Sequence, residues 1–322
     1  MDFTKQNLET IVSLRLHNVG VEQRAIADSQ AGERFHNFNG VWWHRVKPFF
    51  YRPASFLLPL KPYESPLSPW LAPGGYYHVV PEGAARNGSI VTNEITDPGR
   101  FELETLKNNK NGARKVREIE RGLSVLSIRR VANLDDLLGD GYRAFRAWEQ
   151  RTVDVSSDVW HKDIHTANFK SWAERVFHHP YDLLLGAYFE NRLVAFIRIK
   201  STDGVANLVN SWGDHSMYKT HHVSPTTVLN YAYIKICGHS PGILKAVNGL
   251  RSHKDSLERY KAELGYRHVT YPAFVCLRPP VRSLVRFFLP IQYRRLMGQY
   301  ATVSSNTREE QSFQTRSSSA QF

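Results

Sequence analysis

Three side chains that can donate or accept protons follow a predicted strand at residues 205–212: Asp214, His215 and Tyr218. His215 has the intrinsic pKa best suited to general acid–base chemistry near neutral pH. Asp214 could assist it through a bound water. The spacing therefore indicates a proton-transfer site, and the alternative interpretation is that all three are ordinary loop residues.

A second group of polar residues surrounds the predicted start of a helix. Ser224 suits the N-cap and Pro225 suits the first helical position. The free backbone N–H groups and the dipole of a helix N-terminus favour anions. Five side chains could add donors there: Lys219, His222, Ser224, Thr226 and Thr227. This predicts an anion-binding site, unless the stretch is simply a capped helix.

The sequence lacks the motifs of several other common types of active site. His161 and His165 have helical spacing with Asp163 between them, but Lys162 stands where the zincin pattern requires Glu. The sequence contains neither a Gly-x-Ser-x-Gly elbow nor a P-loop. We therefore expect no metal and no tightly bound cofactor.

Length and composition point to an ordinary globular protein. A chain of 322 residues predicts two domains, and a hydrophobic content of 42% excludes a wholly disordered chain. The sequence has no apolar run near the roughly 18 residues that cross a bilayer, and its N-terminus lacks a signal-peptide pattern. A cytoplasmic location is expected. Cys237 and Cys276 have no neighbours at zinc-ligand spacing, so they are expected to be reduced and buried.

The net charge of +12 predicts polyanionic partners such as nucleotides, nucleic acid or acidic lipid. Much of the excess lies in residues 278–295, where five arginines from Arg278 to Arg295 alternate with apolar residues around Pro290. This pattern fits a helix that contacts a membrane surface or a partner. It also fits a terminal helix docked on its own domain with a solvated arginine face. Residues 303–322 are rich in Ser and Thr and are expected to be disordered.

The first hundred residues are predicted to be rich in short strands. Aromatic clusters at residues 41–43 and 49–51 are separated by Pro48. Residues 59–88 contain six prolines and Gly74-Gly75, which predicts a long irregular loop.

Residues 101–122 are predicted to form a helix that carries a basic stripe. The stripe comprises Lys107, Lys110, Arg114, Lys115, Arg117 and Arg121. The helix is either a solvated connector or a phosphate-contacting element. A strand at 123–128 and a helix at 134–151 should follow it.

The clearest pattern is a meander of three strands at residues 182–189, 192–199 and 205–212, joined by tight turns. The helix that begins at Pro225 follows. A strand at 243–247, a helix capped by Ser252 or Asp255, and a last strand at 269–277 complete the order.

This order of elements resembles the GNAT acyltransferase superfamily over residues 101–277. Within it the sequence is most similar to the FemAB-like branch. That branch's pattern of an aromatic residue and then Lys, four residues before Gly, is present as Tyr260-Lys261 and Gly265. The resemblance implies an α/β fold with a mixed central sheet flanked by helices. FemAB-like proteins often contain two GNAT-like halves, which would make the β-rich residues 1–100 a degraded first copy.

The resemblance also implies roles for particular residues. Lys261 would stabilise an oxyanion or a phosphate with its positive charge, beside Tyr260. Asn248, with Arg251 and His253, would face the same cleft. The implied co-substrate is acyl-CoA, with aminoacyl-tRNA as the alternative donor. The glycines with which GNAT enzymes cradle the CoA pyrophosphate are absent from residues 219–226.

Our hypothesis from the sequence is an N-acyltransferase that moves an acyl or aminoacyl group from a phosphate-bearing donor to an amine of a small molecule or peptide. The alternative is a non-catalytic binding module at a membrane or in a biosynthetic complex, and a plain nucleic-acid binder ranks third. The chain is expected to have five parts. They are a β-rich domain at 1–100, a basic connecting helix at 101–122, a GNAT-like domain at 123–277, a basic amphipathic segment at 278–300 and a disordered tail at 301–322. Five residues either line the acceptor pocket or belong to the core: Trp42, Trp43, Tyr76, Tyr77 and His78.

Overall fold

The computed structural model describes residues 2–47, 49–55, 57–61, 67, 72–109, 111–153, 168–252 and 254–297. Four sequence predictions lie outside these ranges: the group of His161, Asp163 and His165, the cleft candidate His253, Lys110 of the basic stripe, and the tail at 303–322.

Within the described residues the strands form one mixed sheet of eleven. The first five strands are β1 (Phe35–Phe38), β2 (Val41–Lys47), β3 (Phe50–Pro53), β4 (Gly75–Val79) and β5 (Gly88–Thr96). The others are β6 (Ser127–Arg130), β7 (Leu183–Phe189), β8 (Arg192–Thr202), β9 (Val205–Gly213), β10 (Lys245–Leu250) and β11 (Arg267–Leu277). Across the sheet they run β1-β2-β3-β4-β11-β5-β10-β9-β8-β7-β6.

The strand order repeats a pattern in its two halves. In each half an antiparallel meander of three strands is followed by a parallel neighbour: β4 beside β3 in the first half, and β10 beside β9 in the second. The last strand of each half pairs with a strand of the other half. β5, from the first half, pairs with β10, and β11, from the second half, pairs with β4. The prediction that residues 1–100 are a degraded copy of the second half stays a prediction. Since β5 and β11 also pair with each other, the proposed boundary at residue 100 runs within one sheet.

The helices lie on both faces of this sheet, which confirms the predicted fold class. They are α1 (Thr4–Ser13), α2 (Val21–Gln30), α3 (Gly112–Val125), α4 (Leu134–Asp136), α5 (Tyr142–Val153), α6 (Phe169–Phe177), α7 (Ser216–His221), α8 (Pro225–His239), α9 (Asp255–Glu263), α10 (Pro279–Phe288) and α11 (Pro290–Leu296). The sequence analysis did not predict α1 and α2. In α1 only Asn7 and Ile11 are buried, so the apolar periodicity is too weak to reveal a helix.

Two predicted boundaries were wrong. The helix expected from residue 101 is a 3₁₀ turn at Leu103–Asn108 followed by α3, which ends at Val125 and not at residue 122. Leu123, expected in a strand, packs at helical spacing with Val116 and Ile119 in the core. The helix expected at 134–151 is divided into α4, a π-helical turn and α5.

The meander in the second half follows the predicted pattern closely. Both tight turns have left-handed residues, at Glu190-Asn191 and at Asp203-Gly204. Alternate residues of β7 and β8 point to opposite faces. Leu185 and Ile197 join the core beneath α3 and α8, whereas Phe196 joins the aromatic core beneath α5 and α6.

The two C-terminal helices differ from each other in how closely they pack against the rest of the protein. α11 is anchored, because Leu296 and the following Met297 pack beside Tyr77 and Ile90. No residue of α10 is buried, and Leu284, Phe287 and Phe288 are exposed along with its arginines. None of the helices in the described ranges is both long enough and apolar enough to cross a bilayer.

Candidate functional site

A cleft opens where two parallel strands separate. β9 and β10 pair over only three residues each, ending at Asn207 and Val247. Beyond that point β10 has an irregular register, with left-handed Gly249, and Leu250 pairs instead with Thr92 of β5. The gap between the strand ends lies below the start of α8. It forms a cleft of about 590 Å³.

Residues from α3, α5, β9, α8, β10 and α9 line this cleft. Eight of the residues singled out in the sequence for catalysis or ligand binding are among them: His215, Tyr218, Ser224, Thr226, Thr227, Asn248, Tyr260 and Lys261. These residues run from position 215 to position 261 of the chain. The predicted proton-transfer, anion-binding and lysine sites are therefore parts of one cleft.

A chain of amides and hydroxyls lines one wall. Asn248 donates to Asn230 Oδ1 at 2.8 Å, and Asn230 donates in turn to the Tyr260 hydroxyl at 3.5 Å. Burial raises the pKa of Tyr260 to about 12, although the Thr227 and Thr226 hydroxyls oppose that shift. Tyr260 therefore keeps its proton at neutral pH and can act as a donor.

The side chain of Lys261 lies on a different wall of the cleft from that of its neighbour Tyr260. Its side chain is buried, and Nζ lies 3.5 Å from the Leu250 carbonyl oxygen and 3.6 Å from Glu258. Glu258 is itself fixed, since it accepts from the Ser252 backbone N–H at 2.8 Å and lies 2.6 Å from His268 Nε2. These contacts hold a cationic group at a defined place in the cleft. They fit a fixed charge that stabilises developing negative charge.

His215 is half-buried at the end of β9. Burial lowers its pKa to about 4, and the positive charge of Arg151 acts in the same direction, while Asp214 opposes both. The imidazole is therefore neutral at pH 7 and can accept a proton.

The cleft carries an excess of positive charge. It is lined by two acidic residues, Glu118 and Glu263, and by five cationic ones: Arg114, Lys115, Arg151, Arg259 and Lys261. Buried Lys115 lies 2.8 Å from Glu118 and stands over the Tyr260 ring at 5.1 Å. Arg114 belongs to the predicted basic stripe, and its exposed side chain lies 3.6 Å from the buried carboxylate of Glu263. An anionic ligand in the cleft would thus meet more cationic than acidic side chains.

At the start of α8 an anion would meet more side-chain hydroxyls than free backbone N–H groups. Ser224 is the N-cap, as predicted, and its hydroxyl accepts from the Thr227 N–H at 3.4 Å. Pro225 has no N–H. Two of the first three helical positions therefore lack a free amide. The hydroxyls of Ser224, Thr226 and Thr227 remain at the cleft.

Four predicted site residues do not line the cleft. Asp214 instead accepts from the Ser216 N–H, at the first residue of α7, at 2.8 Å. Lys219 is exposed on α7. His222 is exposed in a left-handed conformation at the end of that helix, 6.4 Å from the Tyr218 ring. Arg251 is half-buried outside the lining and donates its backbone N–H to Val91.

The proposed acceptor-pocket residues lie elsewhere. Trp43 and Tyr76 form an edge-to-face pair in the core of the first half, with His78 next to them. Tyr77 packs in a neighbouring cluster. Trp42 is half-buried in β2. None of these five lines the cleft.

Sequence reasoning missed several lining residues. Arg259 precedes the Tyr260-Lys261 pair directly, so its position could have been inferred. Trp148 and Arg151 come from α5, which carries no motif, and only the fold brings them to the cleft. Asn230 looked like an ordinary helix residue.

One buried cluster has the composition of a metal site, but its oxygens are engaged. Asp28, His179 and Asp182 lie within 4.8 Å of one another. However, Asp182 Oδ1 is 2.6 Å from Arg24 Nη1, and Asp28 Oδ1 is 2.9 Å from Lys200 Nζ. Because these cations occupy the oxygens that a metal would need, the cluster is an ion-pair network.

Comparisons with solved structures show the fold. FemX superposes with a TM-score of 0.52 at 7% sequence identity, over 88% of this chain and 98% of that chain. The C-terminal domain of a putative lysylphosphatidylglycerol synthetase from Agrobacterium fabrum has a TM-score of 0.49 and 8% identity over 92% and 97% of the two chains. A GCN5-related N-acetyltransferase from Kribbella flavida has a TM-score of 0.38 and 13% identity over 81% and 96%.

No protein-family model matches the sequence, and no curated protein matches it. The likeness to FemX confirms the predicted GNAT-like, FemAB-like resemblance at the level of the fold, and it extends beyond residues 101–277, where the sequence predicted it.

Proposed function

We propose that this protein is an N-acyltransferase that moves an acyl or aminoacyl group from a phosphate-bearing donor to an amine. The observation that carries the proposal is the single cleft at the separation of β9 and β10. It gathers Lys261, Tyr260 and His215 in surroundings with excess positive charge. The FemX-like fold and the FemAB-like pattern of Tyr260, Lys261 and Gly265 support it.

Each part of the reaction has a suitable group in the cleft. The acceptor amine attacks the donor's carbonyl carbon, and neutral His215 takes the proton that the amine loses. Lys261 stabilises the oxyanion that forms. The bond to the thiolate or alkoxide leaving group then breaks, and the Tyr260 hydroxyl supplies a proton to it. The proton taken by His215 passes through solvent to the Tyr260 phenolate, which restores both groups. A new C–N bond replaces the C–S or C–O bond.

The donor's phosphates would be held mainly by cationic side chains. Arg114, Arg151 and Arg259 line the cleft, whereas the start of α8 has few free backbone donors. Both acyl-CoA and aminoacyl-tRNA carry phosphates that such side chains could bind. The two donors differ in their salt dependence, because a tRNA complex that uses many phosphate contacts weakens steeply with salt.

Donor binding tests this proposal without knowledge of the acceptor. The thermal midpoint of the purified protein would be measured with CoA, with acetyl-CoA and without ligand. A ligand that binds only the folded state adds about 2.7 kcal/mol at 100 times its Kd, which raises the midpoint by several degrees. Arg259→Gln should reduce the shift, and Arg192→Gln, an exposed arginine on β8, should leave it unchanged.

A parallel filter-binding assay would measure the affinity for aminoacyl-tRNA at several salt concentrations. A steep loss of affinity with rising salt would identify aminoacyl-tRNA as the donor. If neither donor binds, or if binding is the same in Arg259→Gln, the proposal is wrong.

A further inference from the structure

We propose that α10, together with the turn that carries Phe49, docks the protein on an anionic lipid bilayer. This surface is separate from the cleft, and the inference does not depend on the reaction proposed there.

The apolar face of α10 is uncovered. Leu284, Phe287 and Phe288 are 55%, 78% and 68% exposed. Their spacing of three and four residues places them together on one side of the helix. Val281 and Val285 on the adjacent side are half-buried. Among the described residues, no side chain of α10 belongs to a core cluster. A helix with such an exposed apolar face suits a membrane interface.

A second exposed aromatic residue lies at the same end of the molecule. Phe49 is 61% exposed in the turn between β2 and β3. Its carbonyl accepts from the Gly74 N–H at 2.8 Å, and the Gly74 carbonyl accepts from the Arg278 N–H at 3.4 Å, directly before α10. Backbone hydrogen bonds therefore connect two segments that are far apart in the sequence, and each segment presents exposed phenylalanines.

The position of α10 is fixed by its flanks. The Arg278 guanidinium donates to the Leu67 carbonyl oxygen at 3.0 Å before the helix begins. After it, α11 is held by the packing of Leu296 and Met297 beside β5. The apolar face is thus presented by a helix attached at both ends.

The positive charge of α10 and the residues around it indicates which partner the surface binds. The sequence contains no Asp or Glu from residue 264 to residue 308, and it has five arginines between residues 278 and 295. Arg282 and Arg286 are exposed on α10. Their long side chains can reach anionic headgroups while the aromatic rings enter the acyl region. A second copy of this chain would bring the same positive charge to the contact, so an anionic bilayer complements the surface better.

Co-sedimentation of the full-length protein with vesicles tests the inference. We expect binding to phosphatidylcholine vesicles that contain phosphatidylglycerol, and much weaker binding to pure phosphatidylcholine. The triple variant Leu284→Ser, Phe287→Ser and Phe288→Ser should lower the partition coefficient by about 100-fold or more. Arg282→Gln with Arg286→Gln should lower it by about tenfold or more and reduce its salt dependence. Leu244→Ser, at a residue 65% exposed in the turn before β10, is the matched control and should change nothing.

Equal thermal midpoints of all variants would show that folding is unaffected. The inference is overturned if the wild-type protein does not bind anionic vesicles, or if the triple variant binds as well as the wild type. Analytical ultracentrifugation adds a third decisive outcome. A dimer that the triple variant abolishes, without vesicle binding, would mean that α10 contacts a second copy.

Discussion

Adjacent residues of α9 contact different walls of the cleft. Tyr260 contacts Asn230 of α8, and Lys261 contacts the carbonyl of Leu250 in β10. Successive helical residues point about 100° apart, so one turn of α9 can place a proton donor and a fixed cation on either side of a bound carbonyl group. The proposed reaction uses both groups.

His215 provides a prediction that is independent of any substrate. Burial and Arg151 lower its pKa to about 4, from 6.5 in the unfolded chain. Between these values the unfolded state binds a proton that the folded state does not, so the stability contribution of neutral His215 is lost as pH falls from 6.5 towards 4. An NMR titration of the ring should give a midpoint near 4, and Arg151→Gln should raise it. A midpoint near 6.5 in the wild type would contradict this account.

The sequence singled out many of the polar side chains that line the cleft but not their surroundings. Lys261 and Tyr260 were recognisable by the motif, and His215 by its place after a strand. Asp214 was predicted from the same pattern, yet its carboxylate lies outside the lining and accepts a backbone N–H at the start of α7. A carboxylate that serves as a cap and one that serves as a base look alike in sequence, because only the backbone geometry distinguishes them.

At the scale of elements, the cleft depends on the contact between α3 and α8. Gly122 of α3 faces Val228 of α8, and a Cβ on Gly122 would collide with the Val228 side chain. The close approach fixes α3, whose Arg114 and Lys115 line the cleft. Neighbouring helices approach this closely only where a small residue lies at the crossing.

Gly122→Ala should therefore destabilise the protein by about 1–3 kcal/mol through overpacking, although alanine is the better helix former. It should also weaken donor binding, because α3 would have to shift. Gly139→Ala is the control, since a Cβ there has no heavy atom within 4 Å. Denaturant unfolding of both variants checks the result. Equal stability of Gly122→Ala and the wild type would show that the crossing is not tightly packed.

The elements of the second half could be predicted because their signals are local. The turns at Glu190-Asn191 and Asp203-Gly204 and the Ser224-Pro225 cap are all encoded by neighbouring residues. The partners of β5 could not be predicted. β5 pairs with β10 and β11, more than 140 residues later, and no local pattern encodes that exchange.

At the scale of the molecule, a buried ion-pair network fastens the N-terminal helices to the second half of the sheet. Arg24 and Asp28 of α2 meet Asp182, before β7, and Arg198 of β8. His179 lies 2.9 Å from Asp28 and 3.2 Å from Asp182. Because the network spans residues 24–198, it joins parts of the chain that the sequence analysis assigned to separate units.

His179 makes this junction sensitive to pH. Burial disfavours its charge, but hydrogen bonds and charge interactions with Asp182 and Asp28 outweigh burial and raise its pKa. The stabilisation is fully present below the unfolded pKa of 6.5 and is lost as pH rises through the higher folded pKa. His179→Gln should therefore cost more stability at pH 6 than at pH 9, measured by urea unfolding. His178→Gln, at the exposed neighbour, should cost little at either pH. A cost for His179→Gln that does not depend on pH would contradict a charged His179.

The central claim is acyl transfer in the cleft, and a mass-spectrometric transfer assay tests it most directly. The donor that binds would be incubated with a panel of amines and the wild-type protein, Lys261→Ala or Lys219→Ala. We predict an acylated amine with the wild-type protein and with Lys219→Ala, whose lysine is exposed outside the cleft. Lys261→Ala should form the product about 100-fold more slowly while still binding the donor. Product formation by Lys261→Ala at the wild-type rate would contradict the account.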